Sequence, residues 1–424
     1  MKNKKIYLAA IASALLLSSC GQATSAPAEE TKIQTAAEQD TTDAASNKTD
    51  IASNEKNTAP DTEDEAATGD KIDAKDKAAT GDKDDTTGKT NTGDKAGAAD
   101  ATAASDTTKN AKRKIIIDTD TGADDSSAII LAAKDPDIEI VGVTVMMGNA
   151  TLDQSAGNAL MALELAGCDA PVYKGASKTF NGQEKEVSHV FGSDGMGEMD
   201  LIHPSRTPEQ KDAVDFMIDS VRENPGEIEI VALAPATNIA KAIAKDPETM
   251  KQVKRIWSLG TTGTGSGNVT PVAEFNVFLD AEAYKVMLDS GLPVTVIGLD
   301  MCGGDAMWTD EQFQKLEATN EIGKFVTGSF TKLREFYASN GSVGKVMNPD
   351  TVAMLCALYP DYVKDETSTH ASCITDPGET FGQVIFYKEG FHYESAIDDF
   401  QYNATLVSDV DRKKGFERYL EAVK

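Results

Sequence analysis

Four carboxylates fall within eight consecutive residues in the octet Asp118-Thr119-Asp120-Thr121-Gly122-Ala123-Asp124-Asp125. Like charges held this close are costly unless a cation sits among them. A plainer reading stands beside that one, because acidic runs are common in solvated surface turns. Spacing narrows the sharper alternatives. An EF-hand loop counted from Asp118 needs Gly at its sixth position and Glu at its twelfth, where the chain has Ala123 and Ile129. A phosphotransferase that begins with a strand and D-x-D would use Asp118 as nucleophile and Asp120 as acid. It usually wants Thr at Gly122, and it leaves Asp124 and Asp125 unexplained.

The octet directly follows Lys114-Ile115-Ile116-Ile117, a short β-branched run that predicts a strand, and Ser126 to Lys134 then reads as a helix. Ile138 to Met147 predicts a second strand, and Asp153 to Ala166 a helix that ends at Gly167 as its C-cap. The alternation returns with strand Ile228 to Leu233, helix Thr237 to Ala244, strand Arg255 to Leu259, helix Ala281 to Leu288 and strand Pro293 to Leu299. Continuous apolar strands alternating with helices predict an α/β fold, a mostly parallel sheet flanked by helices. Ligands in such folds bind beyond the carboxyl ends of the strands, and the octet lies at such an end.

Three segments of different composition make up the chain. Residues 1–20 carry Lys2, Lys4 and Lys5, an apolar run from Ile6 to Leu17, and then Ser18-Ser19-Cys20 before Gly21, the layout of a bacterial lipoprotein signal peptide with Cys20 as the lipidation site. Residues 21–112 contain no Phe, Trp, Tyr, Leu, Val, Met or Cys, so this acidic, low-complexity linker cannot offset its chain entropy by burial and is expected to be a disordered tether. At that length a flexible chain spans about 50 Å. Residues 113–424 hold both tryptophans and all the phenylalanines and form the expected folded domain. Most of the formal net charge of −28 lies there, which disfavours nucleic acid polymers and anionic membrane surfaces but not neutral small molecules or cations. Membrane attachment is therefore expected through the lipid anchor only, with the domain exported and outside the cytoplasm. Cys168, Cys302, Cys356 and Cys373 form no C-x-x-C pair and are expected to be free thiols.

The octet resembles the D-x-D-P-G-x-D-D signature of the inosine-uridine nucleoside hydrolase family, with Thr121 in place of Pro. Further landmarks follow in order: Met147-Gly148-Asn149, the loop Gly192 to Gly197, Ala234-Pro235-Ala236-Thr237-Asn238, Gly267-Asn268-Val269-Thr270-Pro271, Ala273-Glu274-Phe275-Asn276, Pro349-Asp350 with Ala353, and the segment Asp409 to Ala422. The resemblance implies a calcium site formed by Asp120, Asp125, Asp350 and the backbone carbonyl of Leu233. It also implies a calcium-bound water whose proton is taken by Asp120 as catalytic base. Asp124, Asn268, Glu274 and Asn276 would hold the sugar hydroxyls of a nucleoside, with Asn149 supporting the metal site. Such a cluster of amides and carboxylates suits a neutral, hydroxyl-rich ligand. The implied activity is hydrolysis of the N-glycosidic bond of ribonucleosides to ribose and free base. Homo-oligomers are common in the family.

Two departures bear on the leaving base. Many members carry His immediately before the last calcium ligand, where this chain has Pro349, and another family histidine aligns with Phe191. His189 lies two residues from that second place, and Phe191, Phe336 and Tyr337 are candidates for stacking on the base. Without an imidazole donor, uridine is expected to suffer more than inosine. A second function stays open beside the enzyme, that of a calcium-dependent nucleoside- or ribose-binding lipoprotein with little turnover.

Overall fold

The computed structural model describes residues 111–387 and 400–424. The signal segment, Cys20 and the linker up to residue 110 lie outside the described residues. The described residues form eleven strands: β1 (Arg113–Thr119), β2 (Ile138–Val145), β3 (Val172–Lys174), β4 (Ile228–Ala232), β5 (Arg255–Leu259), β6 (Val294–Ile297), β7 (Trp308–Thr309), β8 (Lys345–Val346), β9 (Val363–Cys373), β10 (Val384–Tyr387) and β11 (Ala404–Val410). Nine of them form one sheet in the order β10-β9-β11-β6-β5-β4-β1-β2-β3, and β7 and β8 pair separately. Pairing is parallel from β3 across to β11. It turns antiparallel where β9 joins β11 and β10.

The expected α/β architecture is therefore present, and β1 shows why. Ile115, Ile116 and Ile117 are all fully buried, because successive side chains of a strand point to opposite faces and helices cover both. Ile115 and Ile117 enter one core with the helices Ala123–Lys134, Leu152–Ala166 and Pro349–Leu358. Ile116 enters the other, with the helices Ala213–Glu223, Thr237–Lys245 and Ala281–Asp289. Gly167 closes Leu152–Ala166 at φ +72°, a left-handed conformation that costs glycine little, and donates its N–H to Leu163 and Glu164 carbonyls.

The helix after β1 starts at Ala123, earlier than the periodicity indicates, which brings Asp124 and Asp125 into its first turn. Carboxylates there compensate the positive end of the helix dipole. All four cysteines of the described residues are free. No helix among them is long and apolar enough to cross a membrane.

At the amino end of the sheet Glu229 of β4 is buried and fully engaged. Arg113 of β1 grips it with two nitrogens at 3.1 and 2.7 Å, Lys254 reaches it at 2.9 Å, and the Trp257 indole N–H at 2.9 Å. Arg113 also donates to the carbonyls of Ala357 and Leu358 at the end of a helix, so one ion pair ties β1, β4, β5 and a covering helix together. Burial alone would raise the Glu229 carboxyl, but the hydrogen bonds and charges around it hold it down at about 2. Its stabilisation is thus present above the ordinary carboxylate range and lost only as the pH falls through about 2. Glu229→Gln should cost about 2 kcal/mol in urea unfolding at neutral pH, less than a fully buried pair because Arg113 and Lys254 are partly exposed. A chain begun at Lys114 should lose stability similarly, whereas one begun at Lys112 should not; equal stability of the two chains would refute the bracing role of Arg113.

Candidate active site

The carboxyl ends of β1, β2 and β4 meet at one place. Asp118 is the next-to-last residue of β1, Asp120 follows the strand, and Asp124 and Asp125 open the next helix. Asp350 comes from far along the chain, at the second position of helix Pro349–Leu358, whose Pro349 is suited to a first turn. The two helices start side by side, joined by hydrogen bonds among Ser127, Asn348 and Thr351. Carboxylate oxygens of Asp124, Asp125 and Asp350 thereby lie within 4.8 Å of one another, all buried. The resemblance gave Asp124 to the sugar; with two oxygens it can face cation and sugar together.

Neutral donors orient the cluster. Asp125 accepts from the Thr119 hydroxyl at 2.6 Å, the Gly122 N–H at 2.9 Å and the Asn149 amide at 3.1 Å. Asp120 accepts the Asn149 backbone N–H at 2.6 Å. Gly148 is required beside it, since a Cβ there would lie 2.0 Å from an Asp120 oxygen. Asp118 accepts from Thr144 at 2.6 Å and from Asn238 at 2.8 Å. Thr119, Thr144 and Asn348 have no marked role in the sequence, because a buried hydroxyl or amide has no spacing signature of its own.

Burial, then the neighbouring carboxylates, raises the carboxyls of Asp120, Asp124 and Asp350 well above their usual range. Asp125 is raised less, held back by its donors. Burial also lifts Asp118 to about 7. One oxygen each of Asp118, Asp120, Asp124 and Asp350 is buried without a hydrogen-bond partner. Those of Asp120, Asp124 and Asp350 belong to carboxyls that act on one another, and orphaned acceptors are costly in a protein interior. A hard divalent cation with oxygen ligands would satisfy the cluster, so the residues present fit calcium.

The adjoining pocket, about 720 Å³ of space partly open to solvent, gathers the remaining candidates. Glu274 is buried and raised to about 7 by that burial, against backbone N–H groups of Asn276, Val277, Thr261 and Phe275. The Asn276 amide donates to the Leu233 carbonyl at 2.7 Å, and a carbonyl keeps a second lone pair for another partner. Asn268 accepts the Phe275 N–H at 2.9 Å, so it shapes its loop as well as bordering the pocket. Asn149, Phe191, Phe336, Tyr337 and Pro349 border it too. Phe191 is at the same time part of the main core. His189 is exposed, while its neighbours Ser188 and Val190 line the wall.

The fold favours protonated Asp118 and Glu274, so their stabilisation is full below the unfolded value and lost as the pH rises through about 7. Cation-free protein should melt higher at about pH 5.5 than at about pH 8, and calcium, which competes with protons, should raise the Tm more at the higher pH. An equal calcium-induced rise at both pH values would count against a buried carboxylate site.

A family model described as inosine-uridine preferring nucleoside hydrolase matches residues 115–417. A probable uridine nucleosidase 1 of Oryza sativa subsp. japonica is 37% identical over 254 residues, which cover 59% of this chain and 78% of that protein. A pyrimidine-specific ribonucleoside hydrolase of Escherichia coli is 32% identical over 276 residues, 65% of this chain and 87% of that one. The structure of a purine-preferring ribonucleoside hydrolase from Gardnerella vaginalis matches with a TM-score of 0.68 at 28% identity, covering 73% of this chain and 98% of the other. The matched stretch runs from the first strand into the last helix and contains every carboxylate of the site; the chain belongs to the inosine-uridine preferring nucleoside hydrolase family and is an N-glycosyl hydrolase.

Proposed function

We propose that the chain hydrolyses the N-glycosidic bond of ribonucleosides in a calcium-dependent reaction outside the cytoplasm. The observation that carries this reading is the group of buried carboxylates with orphaned oxygens at the edge of an amide-lined pocket. Asp120, Asp125, Asp350 and the Leu233 carbonyl would hold the cation, with Asp124 beside them. When bound, it would acidify a water and fix sugar hydroxyls.

The chain's own groups supply the rest. Asp120 has one oxygen committed to the Asn149 N–H and one free, and the free one would take the proton of the attacking water. Asp124, Asn268, Glu274 and Asn276 would grip the ribose hydroxyls. Positive charge develops on the ribose as the bond to the base breaks, and buried carboxylates stabilise it. Phe191, Phe336 and Tyr337 offer aromatic surface to the base. The neutral Pro349 and Phe191 also support the second reading, a nucleoside-binding protein with little turnover.

Location is read from the sequence alone: a signal peptide in residues 1–20, with acylation at Cys20, would attach the chain to a membrane through its lipid. Cys20→Ala should release the protein into the soluble fraction, and unchanged membrane retention would refute the anchor.

Turnover tests the function directly. Asp120→Ala should abolish both calcium binding and release of free base, whereas Asn276→Ala should mainly raise KM; normal calcium affinity in the Asp120 variant would overturn its assignment. General acid catalysis is worth about 10² to 10⁴-fold, so uridine should be cleaved more slowly than inosine, and p-nitrophenyl riboside, whose leaving group needs no acid, should be fast. Uridine cleavage as fast as inosine cleavage would contradict the absence of a donor, and loss of all three activities would favour the binding protein.

A further inference from the structure

Beyond its carboxylates and amides the pocket wall is largely apolar, with Val190, Phe191, Leu333, Phe336, Met347 and Pro349 among its residues. Two hydroxyl-bearing residues interrupt it, Ser188 and Tyr337. The Tyr337 phenol accepts the Met347 backbone N–H, and its ring packs against the main core. Ser188 is placed differently. Its backbone N–H donates to the Gly148 carbonyl at 2.8 Å, and the next residue, Asn149, donates to Asp120 at 2.6 Å. One short loop therefore fixes Ser188 relative to the proposed base. The Ser188 hydroxyl oxygen accepts the Val190 N–H at 3.4 Å, which leaves its hydrogen to donate, and no described residue accepts it.

We propose that Ser188 recognises the leaving base, donating its hydroxyl hydrogen to a carbonyl oxygen or ring nitrogen of a nucleobase. This rests on the reading that the pocket takes nucleosides. When the bond from the ribose anomeric carbon to the base nitrogen breaks, the electron pair stays with the base, and negative charge spreads over its nitrogens and carbonyl oxygens. The water oxygen bonds to the anomeric carbon and gives its proton to Asp120. A neutral donor at the base strengthens as that charge grows, so it lowers the barrier more than it tightens substrate binding. A serine hydroxyl is far too weak an acid to surrender its proton at neutral pH, so Ser188 keeps it, and the proton that completes the free base comes from solvent.

Ser188→Ala, Ser188→Thr and Tyr337→Phe, each in the full chain with calcium, test the assignment against uridine, inosine and p-nitrophenyl riboside. Ser188→Ala should lower kcat/KM about tenfold for both nucleosides and less than twofold for p-nitrophenyl riboside, with the calcium-induced rise in Tm unchanged. Ser188→Thr, which keeps a hydroxyl, should recover most of the loss. Inhibition by free base should weaken in Ser188→Ala while inhibition by ribose stays the same. Equal loss on all three substrates, or weaker ribose inhibition, would put Ser188 on the sugar and overturn the proposal. So would an unchanged Ser188→Ala variant beside a Tyr337→Phe variant that carries the nucleoside-specific loss. If the unmutated protein cleaves none of the three, the nucleoside hydrolase reading itself fails, and this inference falls with it.

Discussion

Six buried carboxyl groups lie at one end of a sheet, Asp118, Asp120, Asp124, Asp125, Glu274 and Asp350, and the donors that hold Asp118, Asp120, Asp125 and Glu274 are all neutral. None of them pairs with a Lys, Arg or His among the described residues. A basic partner would quench the negative charge, and with it the reason for a cation to enter. Backbone N–H groups, threonine hydroxyls and asparagine amides hold the oxygens in place and leave that charge uncancelled. Glu229 shows the other solution in the same sheet. It is equally buried, but Arg113 and Lys254 neutralise it, and its carboxyl lies at about 2 where Asp118 and Glu274 lie near 7. Strand β4 carries both arrangements, Glu229 at its amino end and Leu233 just beyond its carboxyl end. One end stabilises the fold, and the other stores an electrostatic demand that a ligand must meet.

Parallel pairing makes that division possible. Every strand from β3 to β6 delivers its carboxyl end to the same edge, so loops distant in sequence converge without long excursions. The helices that begin at Ala123 and Pro349 add their positive ends beside Asp124, Asp125 and Asp350, which offsets part of the cost of holding carboxylates together. Close approach completes the placement. Gly148 lets the loop after β2 lie directly on Asp120, so that the Asn149 N–H and the Asn149 amide each fix a different carboxylate.

Legibility in the sequence follows the kind of force involved. The central strands could be read because burial on both faces demands runs such as Ile115-Ile116-Ile117, and the acidic octet because its charge density has no cheap explanation. Strand β9 could not: Lys364, Asp365, Glu366 and Ser368 are exposed, and its stretch lacks any apolar run. Periodicity places the helix opening at Ser126, three residues after Ala123, because Asp124 and Asp125 look like turn residues until a helix dipole accounts for them. The brace of Ser127, Asn348 and Thr351 joins residues more than two hundred positions apart and leaves no periodic trace. Of the candidates for a proton donor, His189 is exposed and only burial separates it from Ser188 on the wall, a distinction that no residue type announces.

The arrangement also decides from which side a glycosidic barrier would be lowered. In the proposed nucleoside complex, with Pro349 and Phe191 where imidazoles could stand, the base end would offer hydroxyls and aromatic faces, neither of which transfers a proton readily at neutral pH. The sugar end, by contrast, would be surrounded by carboxylates whose charge has no basic partner. In an oxocarbenium-like transition state the positive charge lies on the sugar, and the low dielectric around these groups strengthens their attraction for it. Stabilising the ribose cation lets the bond break before the base is protonated, provided the departing base can carry negative charge for a moment. A single well-placed neutral donor is then sufficient at the base end, and the choice among nucleobases passes from proton affinity to how well each one delocalises charge and stacks.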